Sequence, residues 1–224
     1  YVQAGSSSEY LGVIRIKFEN NQKLISSKLL QIDTRTPIDQ EAAELMKPWK
    51  EKLISHKAKT ITNLESDLIA GKPGINCRVS AMIGEAILNA SKADIALHGR
   101  LSNKSLSRGL ITEKNLFELV PYENDLFTAE VSPKQLITIM QEQMQFQKHY
   151  SFNAPYNFTY NTTTQNITLP KELQKNDKLL LCINSRVAAG GGKRFPKLKE
   201  IISAPSANLT ELPIKTRRSE EHTS

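Results

Sequence analysis

Residues that bind metals or form disulfides are scarce in this sequence, which has 2 cysteines and 4 histidines among 224 residues. Cys77 and Cys182 lie far apart without Cys-x-x-Cys spacing, which argues against a zinc site. They are interpreted as buried small hydrophobic side chains; a disulfide between them is an alternative that the spacing does not support. No histidine stands in a His-x-His or Asp-x-His pair, and we interpret His56 and His149 as solvated surface residues. The chain is therefore predicted to hold no metal site of its own.

Long apolar runs are also missing. No stretch approaches the ~20 uninterrupted apolar residues of a membrane-spanning helix. Neither an initiator Met nor a basic signal-peptide segment precedes the first apolar residues, so we expect that the true N-terminus lies upstream.

Residues 218–224 match, codon by codon, the translation of a common sequencing adapter. We predict that this tail is an artefact outside the fold, the alternative being an ordinary charged tail.

The sequence has an excess of positive charge, +7 at pH 7, which favours a polyanionic partner without identifying it. A nucleic-acid-binding domain is one interpretation, and it draws on the basic residues near the C-terminus. Against this, aromatic residues make up only 6% of the chain, no helix carries a basic stripe and no nucleic-acid-binding motif is present. Nucleic acid is thus the disfavoured partner. The basic residues in question are Lys193, Arg194, Lys197 and Lys199.

Alternation of apolar and polar residues predicts a β-hairpin at the start of the chain. Its strands run from Tyr10 to Phe18 and from Leu24 to Ile32, joined by an Asn-Asn turn. A helix is expected to follow, with Thr36 as its cap and Pro37 at its first position. Pro48 predicts a kink or a break within it.

Helices and strands mix through the rest of the chain without strict strand–helix–strand repetition, which indicates an α+β fold with a mixed sheet and flanking helices. The apolar stripe of residues 79–90 predicts a helix. Short buried strands are expected at 94–97, 126–131 and 179–184, and two polar strands within 158–169. Capping signals at Thr112 and Ser132 predict two more helices. The segment from His98 to Gly109 is expected to be a loop.

Four segments in order resemble the C-terminal domain of the 5′-nucleotidase family, which includes UDP-sugar hydrolases and 2′,3′-cyclic phosphodiesterases. The first resembles the family's RxxExxLGNL segment, and the other three resemble its ADIALxNGG, GxIT…PFxN and N…AxGGDGF motifs. Residues 2–12 resemble the end of the family's metallophosphoesterase domain. The segments that carry the resemblance are 79–84, 93–99, 109–124 and 184–192.

The resemblance implies a division of the chain. Residues 1–36 would be the remnant of the metallophosphoesterase domain, 37–58 a linker helix and 59–217 the substrate-binding domain. Two divalent metal ions, which polarise the phosphate and supply a hydroxide nucleophile in such enzymes, are expected in a missing N-terminal domain. The whole protein would be a 5′-nucleotidase-type phosphohydrolase of nucleotide catabolism that is periplasmic or extracellular. This chain alone would lack catalytic residues.

The resemblance also implies where a nucleotide or nucleotide-sugar would bind. The family sandwiches the base between two aromatic rings; Tyr122 matches the first ring, and Arg186 takes the position of the second. His98 and Asn103 take the positions of a loop Asn and a loop Arg, and Gly192 replaces an Asp. Arg78 lies near the family's first Arg. The expected substrate-binding residues are Arg78, His98, Arg100, Asn103, Tyr122, Arg186, Gly191 and Gly192.

Two interpretations of these departures remain open. In the first, Arg100, Lys104 or Arg108 supplies the phosphate contact and Arg186 stacks on the base through its planar guanidinium. Tyr122, Arg186 and the loop from His98 to Arg108 would then converge on one cleft. In the second, the domain is a non-catalytic scaffold, and the glycines at 190–192 serve only the backbone conformation. We favour the first.

Overall fold

A computed structural model of the chain describes residues 3–216. The chain divides into two compact units, Tyr1–Ile54 and Ser55–Ser224. The first contains the predicted hairpin, in which β1 (Tyr10–Glu19) pairs antiparallel with β2 (Gln22–Gln31). Asn20 and Asn21 both have positive φ, 49° and 59°, as a two-residue type I′ hairpin turn requires. The hairpin prediction is confirmed.

Both faces of this hairpin are open to solvent. Its pairing register opposes Ile16 to Ile25 and Gly12 to Leu29, so large apolar side chains gather on one face because opposed residues share a face. Phe18 on that face is 77% exposed. No residue of either strand is buried. An isolated two-stranded hairpin of this kind is only marginally stable in water.

The predicted helix begins three residues later than expected. Helix α1 spans Gln40–Ala58, and the carboxylate of Asp39 caps it by accepting the N–H of Ala42 at 3.0 Å. Thr36 is not the cap, because its hydroxyl instead accepts the N–H of Asp33 in the preceding turn. Of the two alternatives predicted at Pro48, a break is wrong, since α1 continues through this residue, and a kink stays a prediction. The division between the two units falls within α1, so the predicted domain boundaries stay predictions.

The second unit is built on a five-stranded mixed sheet, which confirms the predicted α+β class. The strand order is β11-β6-β10-β4-β7, with β4 parallel to β10 and the other neighbours antiparallel. Two small two-stranded sheets, β3-β5 and β8-β9, accompany it. The strands are β3 (Thr60–Leu64), β4 (Ile95–His98), β5 (Gly109–Thr112), β6 (Asp125–Val131), β7 (Ala154–Tyr156), β8 (Thr159–Asn161), β9 (Asn166–Thr168), β10 (Leu179–Asn184) and β11 (Thr210–Lys215).

Helices cover both faces of the five-stranded sheet, so the inner strands β4, β6 and β10 alternate side chains between two apolar cores. On β10, Leu181 and Ile183 enter one core and Cys182 the other. Cys77 and Cys182 are buried free thiols, as predicted. The helices of this unit are α2 (Arg78–Ser91), α3 (Glu113–Leu119), α4 (Pro133–Met144), α5 (Ser185–Ala188) and α6 (Pro196–Ser203).

Local capping signals locate two helices correctly. Ser132 accepts the N–H of Gln135, and the Gln135 side chain accepts the N–H of Ser132 in return, which is a capping box at the start of α4. Thr112 and Asn115 form the corresponding pair at α3. The sequence did not indicate β3, β5, β7, β11, α5 or α6.

We predict that amide hydrogens of the hairpin exchange faster than those of the sheet. Strands β1 and β2 bury no residue, whereas β10 lies at the centre of the sheet with both neighbours paired, and exchange protection follows burial and hydrogen bonding. Hydrogen–deuterium exchange mass spectrometry on this chain measures the amide exchange rates of the hairpin and of the sheet. Slowest exchange in peptides covering residues 10–31 would contradict the prediction.

Candidate functional site

Parallel pairing brings two distant chain segments to one edge of the sheet. Strands β4 and β10 pair in parallel, with Leu181 opposite Ile95 and Cys182 opposite Ala96. The carboxyl ends of parallel strands lie at the same sheet edge. His98 and Asn184, the last residues of these strands, therefore become neighbours although they are 86 residues apart. In open sheets of parallel strands, ligands bind outside the carboxyl ends of the strands, and the parallel pair β4–β10 forms one such edge here.

A cleft opens at this edge, and we call it the tyrosine cleft. It has a volume of about 100 Å³. Two arginines and no carboxylate are among its lining residues, so its electrostatic character favours an anion. The lining residues are Gly99, Arg100, Leu101, Tyr122, Tyr150, Ser151, Asn153, Asn184, Arg186, Val187, Gly191 and Phe195.

Two half-exposed tyrosines and one arginine form the rim of the tyrosine cleft. Tyr122 follows Pro121 after α3 and is 56% exposed, and Tyr150, in the loop after α4, is 55% exposed. The guanidinium carbon of Arg186 lies 5.9 Å from the centroid of the Tyr150 ring, within the range of a cation–π contact. The ring of His149 lies against Tyr150 as well, with centroids 4.1 Å apart. Tyr150 thus holds Arg186 at the rim.

Two glycines permit close backbone approach around the cleft. Gly191 has a φ of +56°, and a Cβ atom there would lie 2.4 Å from the ring of Phe195. A Cβ atom at Gly99 would lie 2.4 Å from the carbonyl oxygen of Phe152. No L-residue side chain fits at either position without displacing its neighbour. The cleft shape therefore depends on both glycines.

A buried histidine supports the floor of the cleft. His98 is fully buried, with Nδ1 2.6 Å from the carbonyl oxygen of Gly99 and Nε2 3.0 Å from Nδ2 of Asn184. The Asn184 amide oxygen accepts the N–H of Val187 at 3.0 Å. Burial lowers the pKa of His98 from 6.5 to about 4, although the Gly99 hydrogen bond opposes this. His98 is therefore neutral at physiological pH.

A second amide in the cleft is held from below in a similar way. The amide oxygen of Asn153 accepts the N–H of Gly99 at 3.1 Å. Its Nδ2 donates to Oε1 of buried Gln143 at 3.0 Å, and the same oxygen accepts the N–H of Asn153. Both the oxygen and the nitrogen of the Asn153 side-chain amide are thus hydrogen-bonded to protein groups. These bonds fix the loop that carries Tyr150.

Polar atoms without partners gather at the cleft. Within residues 3–216, three buried side-chain nitrogen or oxygen atoms lack a hydrogen-bond partner: Arg100 Nε, Ser151 Oγ and Gln143 Nε2. Arg100 and Ser151 line the cleft, and Gln143 bonds to Asn153 beneath it. Buried polar groups are normally hydrogen-bonded, so a polar ligand at this place would complete their bonding.

The structure brings together four of the residues expected at the substrate: Arg100, Tyr122, Arg186 and Gly191 all line the tyrosine cleft. The predicted convergence of Tyr122 and Arg186 therefore occurs, but of the loop from His98 to Arg108 only residues 99–101 line the cleft, and Lys104 lies in a separate groove. Arg100 is partly committed, because its Nη1 donates to the carbonyls of Ala70 and Gly71. Tyr150 was missed, since nothing in its local sequence marks it; the return of the chain from α4 to β7 alone brings it to the cleft.

Four other expected residues lie elsewhere. His98 is not a loop residue exposed to ligand but the buried end of β4. Asn103 lines a separate shallow groove with Lys104 and Phe117. Arg78 donates to the carbonyl of Asp67, and Gly192 is exposed beyond the cleft lining.

The histidines depart partly from expectation. His149 is half-buried and accepts the N–H of Ser151 at Nδ1, so it is a solvated surface residue only in part; His56 is exposed, as predicted. Across the described residues, no three His, Cys, Asp or Glu side chains cluster to ligate a metal. The two divalent ions implied by the resemblance thus have no ligand set there. The predicted adapter-derived tail, 218–224, lies outside the described residues.

Solved structures of nucleotidases share this fold. The chain resembles the 5′-nucleotidase precursor of Thermus thermophilus with a TM-score of 0.63 at 16% identity, over 98% of this chain and 47% of that one. For the putative 5′-nucleotidase of Staphylococcus aureus in complex with alpha-ketoglutarate, the TM-score is 0.71 at 15% identity, over 95% and 47%. For the NAD nucleotidase of Haemophilus influenzae it is 0.61 at 13% identity, over 98% and 51%.

Residues 58–200 match the sequence profile of the family "5′-nucleotidase, C-terminal domain". The match spans more than half of the chain, so the chain belongs to this family, as the sequence motifs predicted. It covers about half the length of the solved structures described above. A search of curated protein sequences gave no match.

In the described part of the chain, no helix has both the length and the apolar character needed to cross a bilayer.

We predict that His98 makes the fold sensitive to mild acid. Because its folded-state pKa of about 4 lies below the ordinary value of 6.5, the unfolded chain binds a proton between these values that the folded chain does not. Stability is therefore full above pH 6.5 and falls as the pH drops toward 4. Between pH 7 and 4.5 the wild type should lose about 2–3 kcal/mol more than His98→Gln, which cannot titrate.

Urea unfolding of both proteins at the two pH values measures this difference. The carboxylates that also titrate in this range are common to both proteins and cancel in the comparison. Equal losses of unfolding free energy would show that His98 is not a buried neutral base.

Proposed function

We propose that the tyrosine cleft binds the nucleotide substrate of a 5′-nucleotidase-type phosphohydrolase and that this chain is the substrate-recognising part of that enzyme. The observation that carries the proposal is the meeting of two half-exposed tyrosines and two arginines in a cleft without carboxylates. Family membership supports it. A nucleotide offers both an aromatic base and an anionic phosphate, and each matches one part of this lining.

The rim suits the base. Tyr122 would stack on one side of it, and Arg186, backed by the ring of Tyr150, would lie on the other. Stacking needs a planar partner but tolerates any base, and a guanidinium is planar and already oriented here by its contact with Tyr150. Arg186 thus takes the place that the family gives to a second aromatic ring.

The floor suits an anion or a polar substituent. Arg100 Nε and Ser151 Oγ are buried donors without a protein partner, and hydrogen bonds to an ionised acceptor are stronger than neutral ones. The alpha-ketoglutarate in complex with the Staphylococcus aureus protein is a dianion, which makes a dicarboxylate a useful comparison ligand.

The cleft is too small to enclose a whole nucleotide. Its volume of about 100 Å³ falls below the ~300–1,000 Å³ of pockets that bury small molecules. We infer that the rest of the substrate reaches a metal-bearing catalytic domain outside this chain, as in the longer nucleotidases that it resembles. That parent enzyme would act outside the cytoplasm, in the periplasm or at the cell surface.

We predict that Tyr122→Ala weakens AMP binding by ~1–3 kcal/mol, the usual contribution of one base–aromatic stack. Adenosine should bind the parent chain more weakly than AMP, because it lacks the charge that the two arginines attract. Tyr150→Ala should also weaken AMP binding, by releasing Arg186. Isothermal titration calorimetry with AMP, adenosine and alpha-ketoglutarate measures each affinity.

Tyr10→Ala is the matched control, since Tyr10 is 41% exposed on the hairpin and remote in sequence from the cleft residues. It should bind AMP as the parent does. Binding of AMP that is unchanged by Tyr122→Ala would remove the cleft from nucleotide recognition. No binding by any of the four proteins would favour the scaffold interpretation.

We also predict that this chain alone hydrolyses no phosphate ester, because its described residues offer no three-residue metal-ligand cluster. AMP, UDP-glucose and bis-p-nitrophenyl phosphate should release no phosphate or p-nitrophenol in Mn²⁺ or Zn²⁺. A heat-killed sample sets the background, and metal-dependent turnover above it would refute the prediction.

A further inference from the structure

The hydrogen bonds around His98 determine which of its ring nitrogens carries the proton. A carbonyl oxygen only accepts, so Nδ1, 2.6 Å from the Gly99 oxygen, must carry a hydrogen. In a neutral ring Nε2 is then an acceptor, and it faces Nδ2 of Asn184 at 3.0 Å. The opposite end of that amide accepts the N–H of Val187, so the two bonds agree on one orientation of Asn184.

We propose that His98 is a positioning residue for the ligand of the tyrosine cleft, acting by fixing the side-chain amide of Asn184 at the cleft floor. An amide nitrogen has two N–H groups, and His98 takes one. With the amide held at both ends, its second N–H has one direction available to meet a ligand acceptor. The ligand itself rests on the proposed function.

The arrangement is more specific than packing requires. A buried position at the end of β4 could hold an apolar residue, as the preceding position, Leu97, does in the core. A histidine there incurs a desolvation cost for two polar nitrogens, which the Gly99 and Asn184 bonds offset. An apolar residue at 98 would leave Asn184 free to rotate, and a preorganised polar group would become an adjustable one.

His98→Gln and His98→Met separate positioning from packing. The Gln amide reaches the place of the imidazole Nε2 and offers an acceptor to Asn184, whereas Met fills similar space without one. We expect His98→Met to weaken AMP binding about tenfold, the loss of one well-placed hydrogen bond, and His98→Gln to restore most of it. In an Asn184→Ala background, His98→Met should have no further effect on affinity.

Nitrogen-15 NMR of the free protein provides a readout independent of any ligand. His98 should show a protonated Nδ1 and an unprotonated Nε2 at pH 7. The side-chain amide pair of Asn184 should give one sharp set of resonances in the parent and in His98→Gln, and shifted or broadened resonances in His98→Met. Urea unfolding of each variant identifies any that is not folded.

The outcomes distinguish this proposal from the proposed function. If the parent does not bind AMP but the NMR signatures appear as described, the nucleotide function fails and the positioning of Asn184 stands. An Nε2-protonated His98, or an Asn184 amide unchanged in His98→Met, would overturn the positioning role. So would AMP affinity in folded His98→Met equal to that of the parent.

Discussion

Parallel pairing of β4 with β10 is the constraint on which the site depends. In the sequence, β4 and β10 are separated by a long loop, two helices and several strands. Only the register of their pairing sets His98 beside Asn184. Each strand is a short apolar run buried on both faces, typical of parallel strands covered on both sides. Because the strands end together, the polar residues that follow them must share one small volume at the sheet edge.

That shared volume is organised in two layers. Below lie His98 and Asn153, whose side-chain nitrogen and oxygen atoms are hydrogen-bonded, and they cannot move without leaving buried polar groups unpaired. Above lie the half-exposed rings of Tyr122 and Tyr150 and the guanidinium of Arg186, which contacts the Tyr150 ring. Rigid support beneath adaptable contacts is the arrangement that precise binding requires. The unpartnered Arg100 Nε and Ser151 Oγ mark the boundary between the layers.

Local signals in the sequence were sufficient for much of the fold and for part of the site. The Asn-Asn turn, the Ser132 capping box and the alternating strands act over a few residues, so they predicted their elements correctly. Motif order predicted the family and the convergence of Tyr122 with Arg186. These predictions can be made without knowing which residues lie close together in the folded protein.

Features that depend on tertiary contacts were missed. His98 ends an apolar run, and a polar residue there indicates a loop unless its partner, Asn184, is known. Tyr150 carries no motif, and its role follows from the path of the chain after α4. Asn103 was assigned to the site by counting along a loop, yet the loop is pinned by the pairing of Leu68 with Leu106, and Asn103 lies in another groove.

The central claim is that one face of a nucleotide base meets Tyr122 and the other meets Arg186. Intermolecular nuclear Overhauser effects between AMP and the protein test it most directly. We predict contacts from adenine H2 or H8 to the ring protons of Tyr122 and to the side-chain methylene protons of Arg186. Contacts only to other residues, or none to these two at saturating AMP, would contradict it.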